Sequence, residues 1–109
     1  MGKLTVGSVV LVTFPYSNLK GQKIRPALVL AIVEFNNFIL CQITSRPYSS
    51  KIAIRIEAYD FQKGKLPVVS FIRPDKLFTA DKTIIKRIAG ELTRKKRNLI
   101  LQKVRKLFI

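Results

Sequence analysis

Two arginines that each precede a proline are the residues of this chain best suited to chemistry: Arg25 in "QKIRPALVL" and Arg73 in "SFIRPDKLFTAD". Each stands where an apolar, β-branched run meets polar neighbours, and Asp75 follows the second by two positions. Thr44 and Ser45, in "QITS", close a further apolar run, with Gln42 just before and Arg46 just after. A guanidinium grips a phosphate with two parallel N–H donors and keeps its charge when partly buried. Threonine and serine hydroxyls can hold a phosphate oxygen or a ribose hydroxyl. Asp75 can accept a proton if its surroundings tune its pKa. Alternatively it serves only as the ion-pair partner that orients Arg73 or Arg25.

Such a set suits cleavage of RNA by its own 2′-hydroxyl. The substrate brings the nucleophile, so a protein need only relieve it of a proton, neutralise the phosphorane and let the 5′-oxygen leave. Fixed guanidinium groups supply the middle part, usually the largest. Other chemistries find little support. The 109 residues include no histidine, which removes the usual general base, a Ser-His-Asp triad and a His-rich metal site. There is no Walker loop and no GxGxxG. The six acidic residues, at 34, 57, 60, 75, 81 and 91, are scattered, which argues against a carboxylate cage for a hard cation. Cys41 is alone, so neither a disulfide framework nor a Cys-based metal cage is available, and within a strand pattern it reads as a buried spectator. No cofactor or metal is expected.

The charge balance points to a polyanionic partner. Lysine plus arginine number 21 against 6 for aspartate plus glutamate, a net charge of +15. A field of that sign attracts polyanions and speeds encounters with them. Nucleic acid is the first candidate, an acidic protein the second and a membrane surface the third. The longest apolar runs, "PALVLAIV" and "VVLV", are too short to span a bilayer, and the N-terminal stretch lacks the sustained apolar core of a signal peptide. A soluble cytoplasmic protein of one domain, residues 1–109, is therefore expected.

The elements that must position these residues are mostly short strands. "SVVLVTF" (8–14) reads as a strand that stops at Pro15, and a polar loop with Asn18 and Gly21 follows. The continuous apolar run at 26–35 predicts a second strand buried on both faces. Asn36 and Asn37 should make the turn into a third strand at 38–44. Residues 51–59 alternate apolar and polar with period two, a strand with one face inside. "FQKGK" should turn the chain into a fifth strand, 66–72, that ends on Arg73 and Asp75. The composition of 76–80 allows a short sixth, and 83–90 fits a strand ended by Gly90. From Thr93, a candidate N-cap, the period changes: Ile100, Leu101, Val104, Leu107 and Phe108 fall on one face of a helix over about 93–108. Five or six antiparallel strands in about 90 residues, with a helix over one open edge, predict a small curled barrel or half-barrel.

Three stretches together, "GSVVLVTFPYSNLKGQKIRPALVL", "QITS" and "SFIRPDKLFTAD", closely resemble the MazF/PemK toxins of bacterial toxin–antitoxin systems. The resemblance runs from about Gly7 to the final helix. It implies a mainly β fold, an SH3-like β-barrel over about 7–90 with a C-terminal helix, usually as a homodimer. It also implies a metal-independent endoribonuclease that cuts single-stranded RNA and leaves a 2′,3′-cyclic phosphate and a 5′-hydroxyl. An acidic antitoxin protein would block the RNA groove, and DNA would be met only through the antitoxin complex. Carried over by motif, the catalytic positions fall on Arg25, Thr44, Arg73 and Asp75, with Arg25 as transition-state clamp. Gln42, Ser45 and Arg46 would flank the substrate. Phe14, Pro15, Tyr16, Lys20 and Lys23 would form a loop over the groove, where an aromatic among lysines suits base stacking on single strands. Phe14 has core packing as its alternative. One departure is Ser8, where many relatives carry an acidic residue.

Two rival readings share this sequence. A basic barrel could bind RNA without cutting it, with affinity that falls steeply in salt. A related fold poisons DNA gyrase through residues near the end of its C-terminal helix, which here is the basic "QKVRKLFI".

Overall fold

The computed structural model describes residues 3–15 and 22–109, with no side-chain description at 14, 15 and 22. Seven strands and one α-helix follow in order: β1 (Ser8–Pro15), β2 (Gln22–Ile32), β3 (Asn37–Thr44), β4 (Ile54–Ile56), β5 (Phe61–Gly64), β6 (Ser70–Asp81), β7 (Ile85–Leu92) and α1 (Arg94–Lys106). Single 3-10 turns precede β5 (Ala58–Asp60) and β7 (Lys82–Ile84). All strand pairs are antiparallel and form one curled sheet in the order β4-β6-β3-β2-β1-β7-β5. The expected mainly β half-barrel with a C-terminal helix is what the chain forms, with β4 and β5 as its open edges.

Both edge strands pack on the helix side of the sheet, through Ile54 and Ile56 of β4 and Phe61 of β5. Ala27, Leu28, Val29 and Leu30 are all buried, so the middle of β2 is covered on both faces as its apolar run predicted, but Ile32, Val33 and Phe35 of the same run are exposed, where the chain leaves the sheet for the turn. Alternate residues feed two cores. Val9, Leu28, Cys41, Ile43 and Ile72 meet the helix through Ile100. On the other face Val10, Val12, Ala27, Val29, Phe38 and Leu40 are closed over by Ala80, Ile84, Ile85 and Ile88. Each valine, leucine or isoleucine among them contributes roughly 1.5–3 kcal/mol when fully buried.

The helix is held at its start. Thr93 Oγ1 accepts from Lys96 N at 3.2 Å, and the Thr93 N–H donates to the Asp60 carbonyl at 2.9 Å. Asp60 Oδ2 accepts from Glu57 N at 2.8 Å, and Oδ1 lies 3.8 Å from Lys96 Nζ. The expected apolar stripe packs only in part. Ile100 is buried and Leu101 and Val104 half-buried, but Leu107 and Phe108 are exposed, because α1 ends at Lys106 and they fall past its last turn.

Several boundaries differ from expectation, each for a local reason. The strand expected over 51–59 shrinks to Ile54–Ile56: Ser50 Oγ accepts from Ile52 N and Ala53 N, and the reciprocal Glu57–Asp60 capping turns the chain after it. The expected turn at "FQKGK" is largely strand β5, paired with β7. β2 stops at Ile32, Phe35 and Asn36 take positive φ in the turn, and Asn37 already belongs to β3. β7 runs through Gly90 to Leu92. Glycine is needed there for close approach rather than termination, since a Cβ would meet the Lys63 carbonyl oxygen at 2.6 Å. Residues 66–69 lie outside any strand, whereas Ser70–Asp81 is one continuous β6.

Ser8, the departure from the family pattern, is buried and caps the N-terminal turn, its Oγ accepting from Thr5 N at 3.0 Å. Gly7 beside it has φ +99 and ties the centre together, donating to Val29 O and accepting from Leu92 N.

Candidate functional site

Proline decides where the site opens. β2 stays in register with β1 from Leu28 to Gln22, but its ladder with β3 begins only at Ala27↔Gln42. Pro26, which has no N–H to give, stands at that break. Arg25 therefore lies inside β2 and not at its start, yet at the end of one of its two ladders. Continued two residues, the β2–β3 register brings Arg25 opposite Thr44, the last residue of β3.

The second Arg-Pro step behaves in the same way. Arg73 and Asp75 do not end a strand, as expected, but sit within β6. Gln42 pairs with Arg73 and Cys41 with Leu77, so residues 74–76 bulge out of the ladder. Pro74 is fully buried in that bulge, while Asp75 and Lys76 are exposed. The strand continues because a bulge accommodates a proline that a regular ladder would reject.

Strand alternation then sorts the side chains onto two sides. Gln42, Thr44, Arg25 and Arg73 share one side; Ile24, Pro26 and Ile43 alternate with them. Two clefts lie back to back across this wall, and Arg25, Pro26, Ile43 and Thr44 border both. The smaller, about 180 Å³, gathers Arg25, Gln42, Thr44, Arg46 and Arg73, and adds Tyr48 and Lys76. The larger, about 530 Å³, takes Lys23 and Ser45 from the expected set, and is lined also by Ile24, Leu66, Pro67 and Val68 together with Lys65 and Arg87.

Within the small cleft two contacts fix geometry. Arg73 Nε donates to Asp75 Oδ1 at 3.0 Å and its terminal NH2 donates to Oδ2 at 2.9 Å, a two-point fork. That pairing holds the Asp75 carboxyl below the usual carboxylate range and raises Arg73 further. Asp75 is thereby a weak base at neutral pH, and its geometry is that of an orienting partner to Arg73. A solvent-screened pair of this kind contributes little to stability, so positioning is its larger effect. Thr44 Oγ1 accepts from Arg46 N at 3.0 Å, which turns the chain toward Tyr48.

Carboxylates elsewhere are largely engaged. Glu57 accepts from Arg55 and Tyr59, Asp60 from the Glu57 amide, Asp81 from Thr83 N, and Glu91 from Gln62 and Thr5. Those bonds hold Asp81 and Glu91 below their usual range. With Asp75 on Arg73, few acidic groups are left to pair with the remaining lysines and arginines. Among the described residues no three His, Cys, Asp or Glu side chains come together as a metal site. No described helix is long and apolar enough to cross a membrane.

The profile of PemK-like, MazF-like toxins of type II toxin–antitoxin systems matches residues 5–108. The chain belongs to that family. A comparison with curated protein sequences finds no match. Among solved structures, this PemK/MazF chain is similar to a MazE–MazF complex from Deinococcus radiodurans, at TM-score 0.75 and 20% identity over 94% of each chain. It is also similar to a mycobacterial endoribonuclease in complex with its cognate antitoxin, at TM-score 0.70 and 15% identity over 99% of this chain and 95% of that one. A Mycobacterium tuberculosis MazF toxin aligns at TM-score 0.69 and 17% identity over 93% and 95%. At these identities the likeness is one of fold.

Of the expected site residues in this PemK/MazF chain, Arg25, Gln42, Thr44, Arg46 and Arg73 converge on the small cleft, and Lys23 and Ser45 line the large one. Asp75 reaches the site through Arg73. Phe14 and Pro15 pair with Lys23 and Gln22 along β1, but their side chains, and all of Tyr16 and Lys20, lie outside the described residues. Sequence reasoning missed Tyr48, Lys76, Lys65 and Arg87. The first follows Arg46 in "SRPYSS" and the second follows Asp75, so nearness to expected residues was the available signal. Arg87 comes from β7 across β1 and had none.

Proposed function

We propose that this chain is the toxin of a toxin–antitoxin pair and a metal-independent endoribonuclease that cuts single-stranded RNA through the RNA's own 2′-hydroxyl. The observation that carries this reading is the convergence of Arg25, Arg73, Arg46 and Thr44 on one cleft of about 180 Å³ in a chain without histidine. Attack of the 2′-oxygen on phosphorus breaks the bond to the 5′-oxygen. The products are a 2′,3′-cyclic phosphate and a 5′-hydroxyl, which takes up the proton the nucleophile has lost. Charge builds on the non-bridging oxygens, where guanidinium donors held in advance stabilise it most. Arg25, central to both clefts, is the clamp for that charge, Arg73 is held in place by Asp75, and Thr44 orients the phosphate or the 2′-oxygen.

The same reading makes an acidic antitoxin the protein partner, since a +15 surface is complementary to it and similar structures hold a MazE chain or a cognate antitoxin. It takes the working form as a cytoplasmic homodimer that meets DNA only through the antitoxin complex.

The test incubates the protein and its Arg25→Ala variant with a long single-stranded RNA in EDTA, then sequences the fragments and analyses their ends. Discrete cuts with cyclic-phosphate ends from the wild type alone are expected. Intact RNA that both proteins bind in a salt-sensitive way would replace this reading with a non-cutting RNA-binding barrel.

A further inference from the structure

Tyr48 stands out among the side chains of the small cleft. Among the described residues it is the one aromatic of a cleft whose other lining side chains include Arg25, Arg46, Arg73 and Lys76. Its residue is 85% exposed, so the ring is not spent on core packing. Its backbone is at φ 53, in the left-handed region that a bulky residue rarely occupies. Two local bonds accompany that conformation: Arg46 N donates to Thr44 Oγ1 just before it, and Ser50 N donates to the Pro47 carbonyl, closing a turn in which Tyr48 is the first central residue. The turn that begins at Thr44 therefore also places Tyr48.

A phosphate track alone needs cations, not an exposed aromatic. An aromatic ring beside a row of cations is the arrangement by which single-stranded nucleic acid is held without regard to pairing, the phosphate on the cations and the base on the ring. Arginine can add to such a stack from its flat face. Tyrosine also offers large contact area at small rotamer cost.

We propose that Tyr48 is a base-stacking platform for the nucleotide next to the phosphate held by Arg25, Arg46 and Arg73. This rests on the reading of the cleft as an RNA site and adds to it the element that tells a nucleotide strand from a bare polyphosphate. Thr44 then has two tasks, one toward the phosphate and one in placing the ring through Arg46.

The test is equilibrium binding, so it does not depend on cleavage. Wild type and the Tyr48→Ala, Tyr48→Phe and Tyr48→Leu variants are titrated with a 12-mer oligouridylate and with an abasic ribose-phosphate 12-mer of equal charge. Wild type should prefer the oligouridylate. Tyr48→Ala and Tyr48→Leu should lose about tenfold or more on the oligouridylate and little on the abasic strand, and Tyr48→Phe should bind like wild type. The salt slope should be the same for all four, since every phosphate-binding cation stays in place. Thermal melting should be unchanged, given the exposure of the ring.

Tyr48→Ala binding oligouridylate as well as wild type would overturn the stacking role. An equal loss on both strands overturns it too, as does a Tyr48→Phe defect as large as that of alanine. Binding without cleavage by the wild type would sink the endoribonuclease reading and leave the stacking platform standing. Normal cleavage with unaltered Tyr48→Ala binding would do the reverse.

Discussion

The two clefts on either side of the β2–β3 wall differ although the same two strand ends build both. The smaller gathers arginines, a threonine and a glutamine; the larger is lined more by isoleucine, leucine, proline and valine. Strand alternation is the reason, since Arg25 and Ile24 are neighbours in sequence and point apart. A one-residue slip of β2 against β3 would exchange the two surfaces. Tight registry here is thus a requirement of chemistry as well as of packing. Proline at the break on one strand and in the bulge on another keeps the ladder from closing over the arginines.

The largest expected difference between the clefts is catalytic. Arg25→Ala should lower the rate of cutting at a mapped site by about 100- to 1,000-fold, as removal of a preorganised donor does. Val68→Ala, confined to the apolar cleft, should change it by no more than about threefold, on the scale of a small contact. Comparable losses in single-turnover assays would place the reacting phosphate on the wrong side of the wall.

Salt dependence separates the clefts next. Arg46→Ala and Lys76→Ala should each flatten the slope of log affinity against log salt by about 0.7 unit, because each substitution takes one cation away from the phosphates of a single strand. Leu66→Ala should leave the slope unaltered. If Lys65→Ala or Arg87→Ala has the larger effect on slope, the RNA backbone runs along the apolar cleft.

A smaller effect is expected at the joint between them. Thr44→Val removes the bond to Arg46 N and should cost about 1 kcal/mol of stability in urea denaturation. A cost near zero would mean that the turn holds itself.

The smallest expected effect is with acid. Asp75, Asp81 and Glu91 have folded-state pKa values below their unfolded values, so each favours the fold at pH above about 4. That contribution fades as pH falls through the folded values. Stability should therefore be level from neutral pH to about 5 and decline below about 4. Asp75→Asn should make the decline shallower; a parallel curve would show that the Arg73 pair contributes nothing to it.

Most of the fold was legible because the apolar runs are strongly patterned. The β1 and β3 runs lie within a residue of where composition placed them, β2 overlaps its expected run but starts and ends earlier, and Thr93 caps the helix as expected. Misplaced boundaries cluster where side chains cap the backbone, at Ser50 and at Glu57–Asp60, or where a bulge lets one strand absorb a proline. Neither event leaves a periodic signal. The small cleft was legible to the extent that its residues flank the two Arg-Pro steps. Tyr48 was hidden because its role arises from a turn, Lys76 because its own arises from a bulge, and Arg87 because it arrives from a strand far along the chain.

Cys41 has a consequence of another kind. It is fully buried at the centre of β3, paired with Leu28 and Leu77, and burial pushes its thiol up to about 12. Only the thiolate reacts with an alkylating agent, so the folded protein is protected twice over, by access and by protonation. Its one thiol is therefore a built-in clock for opening of the molecule. The rate at which iodoacetamide labels it counts excursions of the whole sheet, and a bound partner that slows those excursions would slow the clock.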